Sequence, residues 1–96
     1  MEAKMKERVV LVTTDKDKRG VFAGTIVEQD GDKVVLEHAR MCVYWSEQTK
    51  GVLGLAAIGP QKGSRVTPMV SRIELVGVTS VSDMSQEAVK LWEAEP

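Results

Sequence analysis

Short apolar and β-branched runs alternate with turn residues along the first half of the chain. Three of these runs predict successive β-strands: Glu7–Thr14, Val21–Gln29 and Lys33–Ala39. The charged segment Asp15–Gly20 predicts a loop between the first two strands. The turn Asp30-Gly31-Asp32 predicts a tight hairpin, because Gly31 can adopt the positive φ that such a turn requires. Gly24 lies inside the second run and indicates a bulge or a close backbone approach.

The middle of the chain changes from a strand pattern to a helical one. Arg40–Ser46 is again β-prone, and the pattern leaves open whether it continues the third strand through a bend or follows a tight turn. From Gln48 to Gly59, apolar residues recur three and four positions apart, which predicts one short helix. Gly59 and Pro60 are the residues expected to end it.

The last third of the chain contains two further β-prone runs and a closing helix. Arg65–Thr67 predicts a short strand, and Ser71–Val81 predicts a longer one in which a change of phase near Gly77 indicates a bulge. Ser85 is expected to cap the final helix. The apolar face of that helix comprises four residues: Ala88, Val89, Leu91 and Trp92.

These elements predict a mainly β fold of the α+β class with a mid-chain helix and a C-terminal helix. We expect a small antiparallel rolled sheet or a partly open SH3-like or Sm-like barrel. The 96 residues are expected to form one domain over 1–96, with 1–7 as a flexible N-terminal segment. A chain of this length buries only roughly 60 to 65% of its unfolded surface. Because an open sheet also leaves unpaired edges, we expect a homo-oligomer.

Composition narrows the cellular setting. The chain is 43% hydrophobic and 28% charged, which is typical of a globular protein. Its longest uncharged apolar stretch, Gly51–Pro60, is well short of the ~20 residues that cross a bilayer, so no membrane association is expected. The charged N-terminus does not resemble a secretory signal. Cys42 is the only cysteine and cannot form an internal disulfide, which favours a cytoplasmic location.

Charge is distributed unevenly although the net charge is only -1. Residues 40–72 contain five basic residues and one acidic residue, whereas residues 73–96 contain five acidic residues and one basic residue. The overall balance argues against binding to long nucleic acid, which usually requires a net basic surface. The basic middle is compatible with a small anionic ligand.

Residues that would indicate an enzyme or a metal site are scarce. His38 and Cys42 are four positions apart in β-prone sequence, or ~13 Å along a strand, which is too far for a nucleophile and its base. We expect a surface histidine and a buried thiol, and no catalytic residue, cofactor or metal. The aspartates of the two loops do not match a calcium-binding loop and are interpreted as solvated turn residues: Asp15, Asp17, Asp30 and Asp32.

The strongest candidate binding site combines aromatic and basic residues. It comprises Arg40, Tyr44, Trp45, Lys62 and Arg65. An aromatic ring can stack on a nucleobase while guanidinium and ammonium groups pair with phosphates. Adjacent strand residues point to opposite faces, so at most one of Tyr44 and Trp45 is expected to face a given core. The alternative is that the ring packs in the core and the charges decorate a loop.

Several segments resemble small phage and prophage proteins of uncharacterised function, over nearly the whole chain from Val9 to Trp92. The resemblance is carried by Gly20–Ile26, Val34–Arg40, Tyr44-Trp45, Leu55-Ala56 with Gly59, and Ser85–Ala88. Small oligomeric phage proteins include anti-defence sponges, such as those that bind gcADPR and block the Thoeris system. The resemblance implies a non-enzymatic protein that sequesters a cyclic nucleotide or cyclic ADP-ribose-like signal at a subunit interface in the host cytoplasm. The alternatives are a small nucleic-acid-binding barrel and a phage structural adaptor.

Overall fold

A computed structural model describes residues 8–14 and 20–95. The described part of the chain is mainly β, as predicted, with six strands: β1 (Val9–Thr14), β2 (Gly20–Asp30), β3 (Lys33–Tyr44), β4 (Arg65–Val66), β5 (Val70–Leu75) and β6 (Val78–Asp83). A 3-10 turn over Glu47–Thr49 leads into helix α1 (Gly51–Ala57), and helix α2 (Gln86–Ala94) follows β6. The segment predicted to be flexible, 1–7, and residues 15–19 of the predicted charged loop lie outside the described residues.

The strands form one antiparallel sheet that curls but does not close into a barrel. Strand order is β4-β3-β2-β1-β6, and β5 also pairs with β3. Only two residues join Leu75, at the end of β5, to Val78, at the start of β6. Such a link reaches about 10 Å, whereas a flat sheet would hold β5 and β6 about 19 Å apart. The sheet is therefore rolled, and its two edges approach each other at this end.

Strand β3 is the longest of the described strands and has neighbours on both sides. The β-prone segment after Ala39 continues it to Tyr44, which settles the alternative that the sequence left open. The bend lies at His38, whose φ is 53°. Opposite this bend, a Cβ at Gly24 would lie 2.9 Å from the Glu37 carbonyl oxygen, and the register shifts between Ala23 and Thr25. The predicted irregularity at Gly24 is confirmed.

The prediction of a single strand over Ser71–Val81 is wrong. The chain breaks between Leu75 and Val78, where Gly77 has a φ of 78°. The strand before the break pairs with β3, and the strand after it pairs with β1. Because those partners are distant in sequence, the local apolar pattern did not distinguish a bulge from a change of partner.

Both helices lie close to their predicted positions. The predicted helix over Gln48–Gly59 is divided at Lys50, whose φ is 70°. The C-terminal helix is capped as predicted, since Ser85 Oγ accepts a hydrogen bond of 3.0 Å from the Ala88 backbone N–H. Of the predicted apolar face of α2, Ala88 and Trp92 are buried.

Two apolar clusters cover the two faces of the sheet. The first joins the sheet to α1 and α2: Leu11, Val21, Ala23, Cys42, Leu55, Ala56 and Trp92. The second fills the inside of the curl: Val10, Val12, Val34, Leu36, Ala39 and Leu75. Alternate residues of β1 enter different clusters, so this strand is buried on both faces. The binding residues predicted from the sequence lie on β3, directly after it, and on or just before β4.

Candidate functional site

Arg40 is largely enclosed by the protein, with 7% of its surface exposed. Its Nε donates a 2.7 Å hydrogen bond to the Thr67 carbonyl oxygen, and its Nη1 donates one of 2.5 Å to the Trp92 carbonyl oxygen. A guanidinium has several donors in a fixed fork, which allows one side chain to hold two carbonyls at once. Arg40 therefore links β3 to the segment after β4 and to the end of α2. The structure separates it from the exposed residues of the predicted site.

Tyr44 and Trp45 have different environments, as the alternation of strand residues predicted. Trp45 is partly buried and packs against the cluster between the sheet and the helices. Tyr44 ends β3 and is 57% exposed. Tyr44 is thus the aromatic ring of this pair that is open to a ligand or a second protein.

Arg65 lies opposite Tyr44 in the pairing of β3 with β4. Directly opposed residues in antiparallel strands have Cβ atoms about 5 Å apart, so the ring and the guanidinium are within reach of each other. Lys62 is exposed in the turn that precedes β4. Within 8–14 and 20–95, neither Lys62 nor Arg65 takes part in an ion pair. Tyr44, Lys62 and Arg65 together form what we call the Tyr44 patch.

Hydroxyl groups beneath the turn hold it against the end of β3. The Ser46 backbone N–H donates to Ser64 Oγ at 3.0 Å, and the Gln61 backbone N–H donates to Thr49 Oγ1 at 3.1 Å. The Ser64 and Thr49 hydroxyls are themselves 3.3 Å apart, and Thr49 is fully buried. The turn that carries Lys62 is therefore fixed by a hydrogen-bonded network. Sequence reasoning missed these residues because serine and threonine are common in ordinary turns.

Two small hollows lie on either side of Arg40. One, of about 50 Å³, is lined by residues of β2, β3 and α2 that include His38, Trp92 and Glu93. The other, of about 200 Å³, is lined mainly by apolar residues that include Phe22 and Ile73. Pockets that enclose small-molecule ligands usually measure about 300 to 1,000 Å³. Neither hollow of one chain therefore encloses a nucleotide.

The structure places Cys42 and His38 as predicted. Cys42 is buried, and its Sγ donates a 3.4 Å hydrogen bond to the Tyr44 carbonyl oxygen. Burial raises the pKa of the Cys42 thiol above its ordinary value of 9.0, and nearby Glu95 adds to the increase. The thiol is therefore protonated at neutral pH, whereas nucleophilic attack requires the thiolate. His38 is exposed.

Two further properties of the described residues bear on the type of site. Among residues 8–14 and 20–95, no group of three or more histidine, cysteine, aspartate or glutamate side chains could hold a metal ion. No helix in the same part of the chain is long and apolar enough to cross a membrane. Asp30, at the end of β2, and Asp32, in the turn that follows, are both exposed, as expected. Asp15 and Asp17 lie outside the described residues.

Comparison with known proteins identifies a family without assigning an activity. Neither the curated proteins nor the solved structures include a significant match to this sequence. A family model described as a domain of unknown function, DUF6948, matches residues 7–92, which is nearly the whole chain. The protein therefore belongs to the DUF6948 family.

Proposed function

We propose that this protein is a phage-encoded anti-defence protein that sequesters a small nucleotide-derived immune signal without cleaving it. The ligand class is a cyclic nucleotide or a cyclic ADP-ribose-like molecule, bound between subunits in the host cytoplasm. One observation carries the proposal: an exposed tyrosine ring lies opposite an arginine that has no acidic partner among the described residues. The resemblance to small phage proteins supplies the biological setting.

The members of the Tyr44 patch have complementary roles in this proposal. The Tyr44 ring stacks on the nucleobase, an interaction that contributes about 1 to 3 kcal/mol per base. The Arg65 guanidinium donates hydrogen bonds from its planar fork to two phosphate oxygens, and Lys62 adds a second positive charge. The hydroxyl network of Thr49 and Ser64 holds the turn in place before the ligand arrives, which lowers the entropic cost of binding.

A second subunit supplies the enclosure that the exposed Tyr44 patch lacks. Tyr44 ends a strand on an open surface, whereas small-molecule sites usually bury about 70 to 90% of the ligand surface. A neighbouring copy placed over the Tyr44 patch provides the opposite wall. This arrangement also agrees with the small size of the hollows beside Arg40.

The chemical groups of the patch favour binding without turnover. Tyr44, Lys62 and Arg65 stack on and pair with a ligand, and none of them has a described partner that would activate it as a nucleophile or general base. Cys42 is buried and protonated at neutral pH. The ligand is therefore expected to be recovered chemically unchanged.

The direct test is calorimetry and thermal melting with a panel of cyclic mononucleotides, cyclic dinucleotides and cyclic ADP-ribose isomers. We expect saturable heat and stabilisation of about 2.7 kcal/mol when one ligand is at a hundredfold excess over its Kd. Chromatography of the recovered ligand should show no product. Absence of both a melting shift and heat with every compound would refute the proposal, and cleavage of the ligand would refute its non-enzymatic part.

Variants test whether the Tyr44 patch is the site. Tyr44→Ala and Arg65→Ala should each weaken ligand binding, whereas Tyr44→Phe should retain it because the stacking ring remains. Lys90→Ala, at an exposed position of α2, is the matched control for loss of a positive charge. Salt-dependent retention of oligonucleotides, with no response to the cyclic compounds, would point instead to a nucleic-acid-binding protein.

A further inference from the structure

Strand β5 forms an edge of the sheet with an unpaired side. Among the strands described, it pairs with β3 alone, over the register from Val34–Leu75 to Ala39–Val70. A row of backbone N–H and C=O groups on such an edge is a template for pairing with another strand. Natural edges are often protected by proline or by charged side chains; β5 contains no proline, and its two charged residues, Arg72 and Glu74, have opposite signs.

The charges on β5 are arranged so that the strand complements itself. Arg72 and Glu74 flank Ile73, and their side chains are 52% and 50% exposed. Within one chain they form an ion pair, with 3.1 Å between Arg72 Nη1 and Glu74 Oε2, so the two side chains lie on the same face. We propose that β5 pairs with β5 of a second copy, antiparallel and centred on Ile73.

Symmetry restricts the registers that two identical strands can adopt. An antiparallel pair of this kind is related by a two-fold axis perpendicular to the sheet, and one residue then lies opposite its own copy. Centring on Arg72 would place two arginines opposite each other, and centring on Glu74 would place two glutamates opposite each other. Both arrangements are destabilising because like charges meet across the strands.

Centring on Ile73 reverses this outcome. Arg72 of each copy then lies opposite Glu74 of the other, which gives two cross-strand pairs of opposite charge. The same register brings Val70 opposite Val76, and these residues are 48% and 58% exposed in one chain. Pairing therefore covers apolar side chains at both ends of the strand while it satisfies the backbone of the edge. The product is a continuous sheet through two subunits.

The pairing of β5 between two copies does not depend on the proposed nucleotide ligand. The edge is available in the ligand-free chain, so its test requires no nucleotide. Failure of β5 pairing would leave binding at the Tyr44 patch to be judged by calorimetry. Failure of nucleotide binding would likewise leave the β5 interface in place.

Charge reversal separates pairing between chains from the ion pair within one chain. Analytical ultracentrifugation of the ligand-free wild-type protein should show a dimer. Arg72→Glu places glutamates opposite Glu74, and Glu74→Arg places arginines opposite Arg72, so each variant alone should be monomeric. An equimolar mixture of the two should form a heterodimer, because an acidic strand then faces a basic strand. The double variant R72E/E74R should dimerise as the wild type does.

Two controls complete the experiment. Lys90→Glu changes the charge by the same amount at an exposed position on α2 and should leave the dimer intact. If circular dichroism shows that either reversal variant does not fold, hydrogen exchange of the wild-type protein replaces the variant experiment. Amides of Val70–Leu75 should then exchange faster on dilution, while those of β2 should not. The proposal would be overturned if the wild type were monomeric, if either single variant were dimeric, or if mixing the two gave no heterodimer. It would also be overturned if hydrogen exchange in β5 did not depend on protein concentration.

Discussion

Replacing Arg40 with methionine tests whether this residue stabilises the fold or serves only to bind a ligand phosphate. Methionine keeps an unbranched apolar side chain in the same space but removes the donors to the Thr67 and Trp92 carbonyl oxygens. Each hydrogen bond from a charged donor contributes about 1.5 to 3 kcal/mol to stability. Removing the buried guanidinium also relieves its desolvation cost, which offsets part of that loss. We expect Arg40→Met to lower the free energy of unfolding by about 2 to 4 kcal/mol.

Urea denaturation of the ligand-free protein measures this loss directly. Tryptophan fluorescence is a suitable signal, because Trp45 and Trp92 both contact the cluster beneath the helices. Protein concentration must be the same for all variants, since association shifts apparent stability. Lys90→Met removes an exposed positive charge and should change stability by less than about 0.5 kcal/mol. An Arg40→Met protein as stable as the wild type would show that the two hydrogen bonds do not support the fold.

Two other predictions concern the sheet and the buried thiol. Gly24→Ala should destabilise the protein by about 1 to 3 kcal/mol, because the new Cβ would lie 2.9 Å from the Glu37 carbonyl oxygen, a backbone atom that cannot rotate away. Thermal melting measures this loss, and an unchanged melting temperature would contradict the prediction. Because the pKa of Cys42 is higher in the folded protein than the 9.0 of a free thiol, the unfolded chain ionises first and stability should fall as pH rises from about 9 toward the folded pKa. Urea denaturation at several pH values should show that Cys42→Ala lacks this contribution, and identical pH profiles for both proteins would refute it.

The features predicted correctly are those encoded by neighbouring residues. The hairpin turn at Gly31 and the Ser85 cap depend on backbone conformations and hydrogen bonds within a few positions. The division between β5 and β6 could not be predicted in the same way, because β5 pairs with β3 and β6 pairs with β1. Gly77 marks the break, but a glycine in an apolar run is equally typical of a bulge.

The candidate site shows the same limit. Alternation along β3 predicted that Tyr44 and Trp45 would have different environments, and the structure confirms it. The burial of Arg40 could not be foreseen, because its two acceptors lie 27 and 52 positions away in the chain. In the sequence, a basic residue within a basic segment has the pattern of a surface residue. Its burial depends on Thr67 and the end of α2, which only the fold brings beside it.

Arg40 is nevertheless linked through hydrogen bonds to the Tyr44 patch, with which the sequence analysis grouped it. Its Nε holds the Thr67 carbonyl, and the Thr67 backbone N–H donates a 2.9 Å hydrogen bond to the Met41 carbonyl. Thr67 follows Arg65 by only two residues, so these bonds fix the backbone that presents Arg65 beside Tyr44. Loss of Arg40 should therefore weaken ligand binding together with stability, whereas Arg65→Ala should weaken ligand binding alone. Equal effects of the two variants on unfolding would contradict this division between positioning and contact.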